Sequence, residues 1–212
     1  MTQGVGRIIE TDACVAEGAR WLAGAEPRFA HVLDLDGPPP LRRREDGFAA
    51  LMGAIVSQQV SVAAAAAIWG RLQAAGLTEP ATVAAAPEEA LRSAGLSRQK
   101  IRYVRALAEA GIDYHALRRA PDTEVVATLT AVPGIGRWTA EIYAMFSLGR
   151  ADVFAPADLA LQESARSLFD LPDRPREAAL RRMAEAWSPW RAVAARMLWS
   201  YYRLDRGREG VT

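Results

Sequence analysis

Cysteine, histidine and long apolar runs are scarce in this sequence of 212 residues. Cys14 is the only cysteine, which excludes an intramolecular disulfide and a multi-cysteine metal cluster. His31 and His115 are the two histidines, and because they lie far apart without ligand spacing we expect surface or core positions for both. No run of about 18 apolar residues occurs, and residues 1–10 lack the pattern of a signal peptide. We therefore predict a cytoplasmic protein without a membrane partner.

Lysine is also scarce, since Lys100 is the only one, and arginine carries almost all of the positive charge. The chain has 26 Lys+Arg and 25 Asp+Glu, a formal net charge of +1. Proteins that bind nucleic acid are often strongly basic, so this balance alone does not favour such a partner. Local basic surfaces can coexist with a neutral total, although solvated helix faces explain most arginines equally well. The arginine clusters are Arg42 to Arg44, Arg92 with Arg98, Arg102 and Arg105, and Arg181 with Arg182.

Apolar residues recur at helical spacing through most of the chain, and no stretch alternates like a strand. Residues 8–33 predict one or two amphipathic helices, and Gly37 to Pro40 interrupts the chain as a linker. We predict an all-α protein with an N-terminal helical cap and linker over 1–40, a body over 41–204 and a flexible tail over 205–212. This length can bury a real core in one domain or two small lobes. The core candidates in the cap are Val15, Trp21, Leu22, Phe29 and Leu33.

The run Val132-Pro133-Gly134-Ile135-Gly136 lies between two segments with helical spacing, together residues 124–147. Two glycines around one isoleucine predict a tight turn that needs positive φ or a bare backbone. Because the second helix begins at this turn, its unpaired N–H groups form a site for an anion such as a phosphodiester. From these residues alone, a plain αα-hairpin with a structural turn is an equal alternative.

Leu129, Thr139 and Ala140 lie in or beside the two helices of the hairpin, and the loop Val153-Phe154-Ala155-Pro156-Ala157-Asp158 follows it. Together with Pro133, Gly134, Ile135 and Gly136, these residues resemble the helix-hairpin-helix (HhH-GPD) superfamily of DNA glycosylases. The likeness is greatest to the branch of 3-methyladenine DNA glycosylase II and extends from about Leu41 to Tyr202. It implies a two-lobed helical glycosylase fold. Larger members carry an extra N-terminal α/β domain, which residues 1–40 are too few to hold.

The resemblance implies hydrolysis of the N-glycosidic bond of an alkylated purine that is flipped out of duplex DNA. Asp158 takes the catalytic position, where a carboxylate stabilises the oxocarbenium ion and orients or deprotonates water. Its place at a helix start also allows a plain N-cap, which is compatible with catalysis. Asp152 is the neighbouring carboxylate but lacks the motif position. Trp138 and Trp199 match aromatic positions of the base pocket, and Ile142 replaces a third aromatic residue, so the lesion range stays open.

The resemblance also implies that double-stranded DNA containing damaged bases contacts the hairpin and a second helix junction. Gln58 or Gln59 matches the side chain that fills the space left by the flipped base, with a capped helix break as the alternative. A monovalent cation, Na⁺ or K⁺, is expected at the backbone carbonyls of Thr130, Val132 and Ile135, and no cofactor is required. The expected DNA-binding positions in the hairpin are Pro133, Gly134, Ile135, Gly136, Arg137 and Thr139.

Two branches of the superfamily do not match. Bifunctional relatives place a Schiff-base lysine just after the hairpin, where this chain has Trp138, and the iron–sulfur branch needs four cysteines. We therefore expect a hydrolase without lyase activity on abasic sites. We also expect the protein to be monomeric and nucleoid-associated. Two alternatives stay open: a glycosylase for deaminated or oxidised bases, and a non-catalytic helix-hairpin-helix module that only binds DNA.

Overall fold

The computed structural model of the protein describes residues 5–207. The regular elements in that range are all helices, which confirms the predicted all-α fold class, and an isolated β-bridge joins Ile8 to Arg150. No helix in this part of the chain is both long and apolar enough to cross a membrane. The 3₁₀ helix Ala184–Trp187 precedes the last α-helix. The α-helices are α1 (Asp12–Ala25), α2 (Pro27–Asp36), α3 (Phe48–Ser57), α4 (Val62–Ala74), α5 (Pro80–Ala85), α6 (Glu88–Ser93), α7 (Arg98–Glu109), α8 (Tyr114–Arg119), α9 (Asp122–Thr130), α10 (Arg137–Phe146), α11 (Leu159–Leu168), α12 (Glu177–Met183) and α13 (Arg191–Arg206).

The chain divides into two compact units, in agreement with the predicted two-lobed fold. The first unit combines the chain up to Arg43 with the chain from Ala144 onward, and the second is the continuous stretch 44–143. α1 and α2 pack on α13, so the residues predicted as an N-terminal cap lie in the same unit as the end of the described chain. The predicted tail at 205–212 begins inside α13, and from residue 208 onward it lies outside the described residues.

One face each of α1 and α2 contributes to the core of the first unit. Val15, Leu22 and Phe29 are fully buried, as predicted. Trp21, by contrast, is 41% exposed, so its prediction as a core residue is wrong. Neighbouring residues of an α-helix lie about 100° apart around its axis, and burial of Leu22 therefore turns Trp21 away from the core. Leu33 is half-buried.

The first described residues pair with the loop that follows α10. The N–H of Ile9 donates to the carbonyl of Gly149 at 2.7 Å, and the N–H of Ala151 donates to the carbonyl of Arg7 at 3.0 Å. Gly149 has φ +72°, and a Cβ added there would lie 2.8 Å from the carbonyl oxygen of Ile9. Glycine is therefore required for this pairing. The pairing anchors the start of the loop that leads to Asp158.

The second unit has α7 near its centre, with α3, α5 and α6 packed against it. Ile101, Val104 and Leu107 form the buried face of α7, whereas Arg98 and Arg102 are exposed. This distribution is the helical period predicted for the segment, since residues three and four apart share a face. Arg98 and Arg102 thus lie on a solvated face, whereas Arg105 is half-buried and its Nη2 donates to the carbonyl of Ala86 at 2.8 Å.

Candidate active site and hairpin

α9 and the first part of α10 form the predicted hairpin in the second unit. Gly134 has φ +93°, a conformation that favours glycine, and a Cβ added there would overlap the ring of Tyr103. The carbonyl of Gly134 accepts a hydrogen bond from Nε2 of Gln58 at 2.9 Å. Ile135 is buried, and its N–H donates to the carbonyl of Val132 at 3.1 Å. The turn is thus fixed both by its own backbone and by two residues distant in sequence.

The backbone at the start of α10 is open. Gly136 does not have a positive φ, and a Cβ added there would meet no described atom within 4 Å. Nothing within the described structure therefore requires glycine at this position. Arg137 and Trp138 are exposed, Trp138 by 39%. A bare backbone at an accessible helix N-terminus is the arrangement that binds anions in many proteins.

The remaining predicted DNA-binding positions of the hairpin differ in exposure. Pro133 is exposed, whereas the side chains of Ile135 and Thr139 are buried. A ligand could therefore reach these two residues mainly through backbone atoms. Arg137 is held in place, because its Nε donates to Oε1 of the buried Glu141 at 3.0 Å.

The two glutamines between α3 and α4 have different surroundings. Gln58 is half-buried, and its amide is engaged with the hairpin. Gln59 is exposed and has φ +56°, which is uncommon for a residue other than glycine. The exposed side chains of Val60 and Val62 follow it. Gln59 is therefore the accessible glutamine of the pair.

The three carbonyl groups predicted to hold a cation lie where α9 ends and the turn begins. The Val132 oxygen accepts the N–H of Ile135, and a carbonyl oxygen can accept a second partner. Oxygen ligands suit hard cations, so Thr130, Val132 and Ile135 offer a suitable donor type. Across residues 5–207, no group of three or more His, Cys, Asp or Glu side chains is arranged to hold a metal ion.

Asp158 lies at the start of α11 in the first unit and is only 6% exposed. Its Oδ1 accepts a hydrogen bond from the N–H of Leu161 at 3.0 Å, which is the N-cap geometry proposed from the sequence. The same oxygen accepts the indole N–H of Trp199 at 3.2 Å. The backbone N–H of Asp158 donates to the carbonyl of Ala155 at 3.1 Å. This carboxylate is therefore buried and held by groups from two helices.

The carboxylate of Asp152 is bound by the side chains of Arg191 and Ser188. Its two carboxylate oxygens accept hydrogen bonds from Nε and Nη2 of Arg191 at 2.7 and 2.8 Å. The hydroxyl of Ser188 donates to the same carboxylate at 2.8 Å. A backbone hydrogen bond lies beside this ion pair: the N–H of Ala192 donates to the carbonyl of Ala151 at 2.9 Å. Asp152 thus ties the loop before Asp158 to the start of α13.

Two residues beside Trp199 were not identified from the sequence. The ring of Phe146 lies 5.7 Å from that of Trp199, centroid to centroid, and the guanidinium of Arg196 lies 4.5 Å from the Phe146 centroid. Burial, together with the nearby charges of Arg43 and Arg42, lowers the pKa of Arg196 to about 9. In the sequence, Arg196 could have been noticed because it lies three residues before Trp199, on the apolar face of α13. Together with Pro39 and Pro40 these residues line a small pocket.

Arg196 is 3% exposed, and its guanidinium binds backbone oxygens. Its Nη1 donates to the carbonyl of Ala192 at 2.8 Å, and its Nη2 donates to that of Met145 at 3.3 Å. Longer bonds of 3.4 Å reach the carbonyl of Leu41. These bonds compensate part of the cost of burying a charge, and they fix the surroundings of Phe146.

The structure brings together two pairs of the predicted site residues. Asp158 contacts Trp199 in the first unit, and Gln58 contacts Gly134 in the second. Ile142 lies on α10, one turn after Trp138, and is half-buried.

The family of the chain follows from these features together with the extent of its sequence match. Residues 52–190 match the HhH-GPD superfamily of base excision DNA repair proteins, and this range includes the hairpin, Asp152 and Asp158. Because the match covers more than half of the chain, the protein belongs to that superfamily.

The chain is also similar to individual relatives and to solved structures. The chain is 30% identical over 195 residues to DNA-3-methyladenine glycosylase 1 of Schizosaccharomyces pombe, covering 86% of each chain. Its fold is similar to that of a DNA-3-methyladenine glycosidase from Bacillus halodurans, with a TM-score of 0.82, 34% identity, and coverage of 90% of this chain and 91% of that one. A 3-methyladenine DNA glycosylase of S. pombe in complex with abasic DNA gives a TM-score of 0.75 at 28% identity, over 92% of this chain and 100% of that one.

Proposed function

We propose that this protein is a DNA glycosylase of base excision repair that acts on alkylated bases. The observation that carries the proposal is Asp158, a buried carboxylate held at a helix N-terminus and beside an indole in a chain of this superfamily. The relatives named as 3-methyladenine glycosylases support the substrate class. The relative solved with abasic DNA supports DNA as the partner.

The chemistry requires a flipped base and a negative charge close to the sugar. A base inside a duplex is out of reach of a protein side chain, so the nucleotide has to leave the stack. As the N-glycosidic bond lengthens, positive charge develops on the sugar ring. The carboxylate of Asp158 stabilises that charge and orients or deprotonates the attacking water. Exposed aromatic surface, such as that of Trp138, favours an electron-poor alkylated base by cation–π attraction.

The hairpin binds the DNA backbone in this proposal. Backbone amides near Gly134, Gly136 and Trp138 contact one phosphate, and a Na⁺ or K⁺ ion at the turn carbonyls adds positive charge. The open backbone at Gly136 supports this role, since a ligand can approach it closely. Gln59 is the side chain we assign to the space left by the flipped base, because Gln58 already bonds to Gly134.

The reaction ends with an abasic site in an intact strand. Strand cleavage by β-elimination needs an amine that forms a Schiff base with the opened sugar. The position after the hairpin is Trp138, whose indole nitrogen cannot do this. We further propose that the enzyme acts as a monomer.

The test is base release from matched duplexes that differ in one nucleotide. The set contains 7-methylguanine, hypoxanthine, 1,N6-ethenoadenine, uracil, 8-oxoguanine and an undamaged control, and abasic sites are revealed by hot alkali. We expect release from one or more of the alkylated duplexes. Release confined to hypoxanthine, uracil or 8-oxoguanine would replace the proposed substrate class. DNA binding without release from any duplex would favour the non-catalytic alternative.

A further inference from the structure

Two hydrogen-bond donors converge on one oxygen of Asp158. The backbone N–H of Leu161 lies 3.0 Å from Oδ1, and Nε1 of Trp199 lies 3.2 Å from it. The first donor belongs to the helix that Asp158 caps, and the second comes from α13. Both Asp158 and Trp199 are almost fully buried. Water therefore competes little with either bond.

An N-cap bond alone does not fix the direction of a carboxylate. It sets the distance of one oxygen from the first turn, while the side chain can still rotate about that contact. A second donor from another helix removes this freedom. An indole N–H suits the task, because it can only donate and a buried one needs an acceptor.

The indole is itself held firmly against α11. One residue before Trp199, the carbonyl of Leu198 accepts the hydroxyl of the buried Ser164 at 2.7 Å, which fixes α13 relative to α11. The ring of Phe146 packs against the indole at an interplanar angle of 34°, and Arg196 lies over Phe146. These contacts hold the indole in addition to its hydrogen bond to Asp158.

We propose that Trp199 is a positioning residue that aims the carboxylate of Asp158 through its indole N–H. This role is distinct from any aromatic contact that the ring makes with a base. The inference rests on the proposed function, since it assumes that Asp158 is the catalytic carboxylate. The Trp199 side chain has two properties, an aromatic ring and an N–H donor, and a substitution can remove the donor while keeping a ring.

The experiment is a double-mutant cycle on single-turnover base release. The wild type, Trp199→Phe, Asp158→Asn and the double variant are compared on one lesion duplex for which Asp158→Asn retains a measurable rate. Phenylalanine keeps a ring but has no N–H. We expect Trp199→Phe to lower the rate at least about tenfold while its Kd for the duplex changes less than about twofold. In the Asp158→Asn background, the same substitution should change the rate less than about twofold, because residues that act through one another are not additive.

Trp190→Phe is the matched control, since Trp190 is also a buried tryptophan of the first unit, next to the start of α13. Its rate of base release should stay within about twofold of the wild type, and the Tm of each variant is measured alongside. A wild-type rate for Trp199→Phe would overturn the inference. An equal fractional loss in both backgrounds would also overturn it, because Trp199 would then act independently of the carboxylate.

A spectroscopic measurement does not depend on the folding of Trp199→Phe. The indole N–H resonance of Trp199 in ¹⁵N-labelled wild-type protein should be protected from exchange and should move in Asp158→Asn. An unchanged resonance would contradict the hydrogen bond. Failure of the proposed function looks different, since Asp158→Asn would then release bases at the wild-type rate from every lesion duplex.

Discussion

The ammonium group of Lys100 donates a hydrogen bond to the backbone carbonyl of Val56 at 2.6 Å. This carbonyl belongs to the last turn of α3, where backbone oxygens lack helical partners. Burial lowers the pKa of Lys100 from its ordinary value. The only lysine of the chain is thus engaged in closing a helix end within the second unit.

We predict that Lys100→Gln releases bases at a rate within about twofold of the wild type and that neither protein cuts the DNA strand. The reason is that the engaged amine takes no part in the reaction. The measurement is borohydride trapping on lesion DNA, with gel analysis of the product before and after alkali. A covalent complex that forms after capping of the N-terminal amine of Met1, and that disappears in Lys100→Gln, would show a lyase. Met1 itself lies outside the described residues.

Asp158→Asn should fold normally and lose at least about a hundredfold in the rate of excision of stable lesions. Asparagine caps helices about as well as aspartate, so the bond to the N–H of Leu161 can persist while the negative charge is lost. The rate is measured with 1,N6-ethenoadenine or hypoxanthine, because labile methyl adducts leave without much help. Asp152→Asn is the comparison, and it should weaken the anchor at Arg191 and lower the Tm. Wild-type excision by Asp158→Asn would exclude it as the catalytic carboxylate.

Substitution of the two hairpin glycines should affect different properties, DNA binding for Gly136 and stability for Gly134. Gly136→Asp should fold normally but weaken binding to any DNA sequence by about tenfold or more, because it places a negative charge beside the proposed phosphate. Gly136→Ala should change little, since the space is open. Gly134→Ala should lower the free energy of unfolding by roughly 1–3 kcal/mol, because of its positive φ and the contact with Tyr103. Fluorescence anisotropy and urea unfolding measure the two effects, and unchanged affinity of Gly136→Asp would leave the hairpin with a structural role only.

The glutamine pair should separate stability from function. Gln58→Ala removes the hydrogen bond to Gly134 and should lower the free energy of unfolding by about 1 kcal/mol. Gln59→Ala has no such bond to the hairpin, so its stability should stay near that of the wild type while base release slows. The comparison of urea midpoints with single-turnover rates checks both. If Gln58→Ala slowed base release more than Gln59→Ala at equal stability, the assignment of the two residues would have to be exchanged.

Tyr143 predicts how stability depends on alkaline pH. Burial, partly offset by the hydrogen bond from the N–H of Gly47, raises the pKa of Tyr143 to about 12. The unfolded chain loses this proton near pH 10, before the folded chain does, so the free energy of unfolding should fall between about pH 10 and pH 12 by roughly 2–3 kcal/mol. Urea unfolding at pH 8, 10 and 11 measures the effect. Tyr143→Phe should be less stable at pH 8 but lose less on going to pH 11; equal losses would assign the effect elsewhere, with Tyr114 as the first alternative since burial also raises its pKa.

Local patterns predicted the helices, the hairpin and the cap at Asp158, because each depends on residues close in sequence. The contacts that complete the site did not follow from such patterns. Nothing near Gly134 indicates that Gln58 and Tyr103 fix it, and nothing near Asp158 indicates a donor from Trp199. These contacts depend on how helices pack, which periodicity does not determine. The same limit explains Trp21, because apolar spacing alone did not show which side of α1 would be covered.

The division of the first unit into two distant stretches has a consequence for synthesis on the ribosome. Chains emerge N-terminus first, and domains generally fold as units in that order. Here α1 and α2 emerge before the second unit but pack on α13, which follows that unit in sequence. The continuous second unit, residues 44–143, can therefore complete its core before α13 is available to pack against α1 and α2. Until then, the core residues Val15, Leu22 and Phe29 lack that packing. The buried carboxylate of Asp158 and its indole donor Trp199 come together only after α13 has emerged.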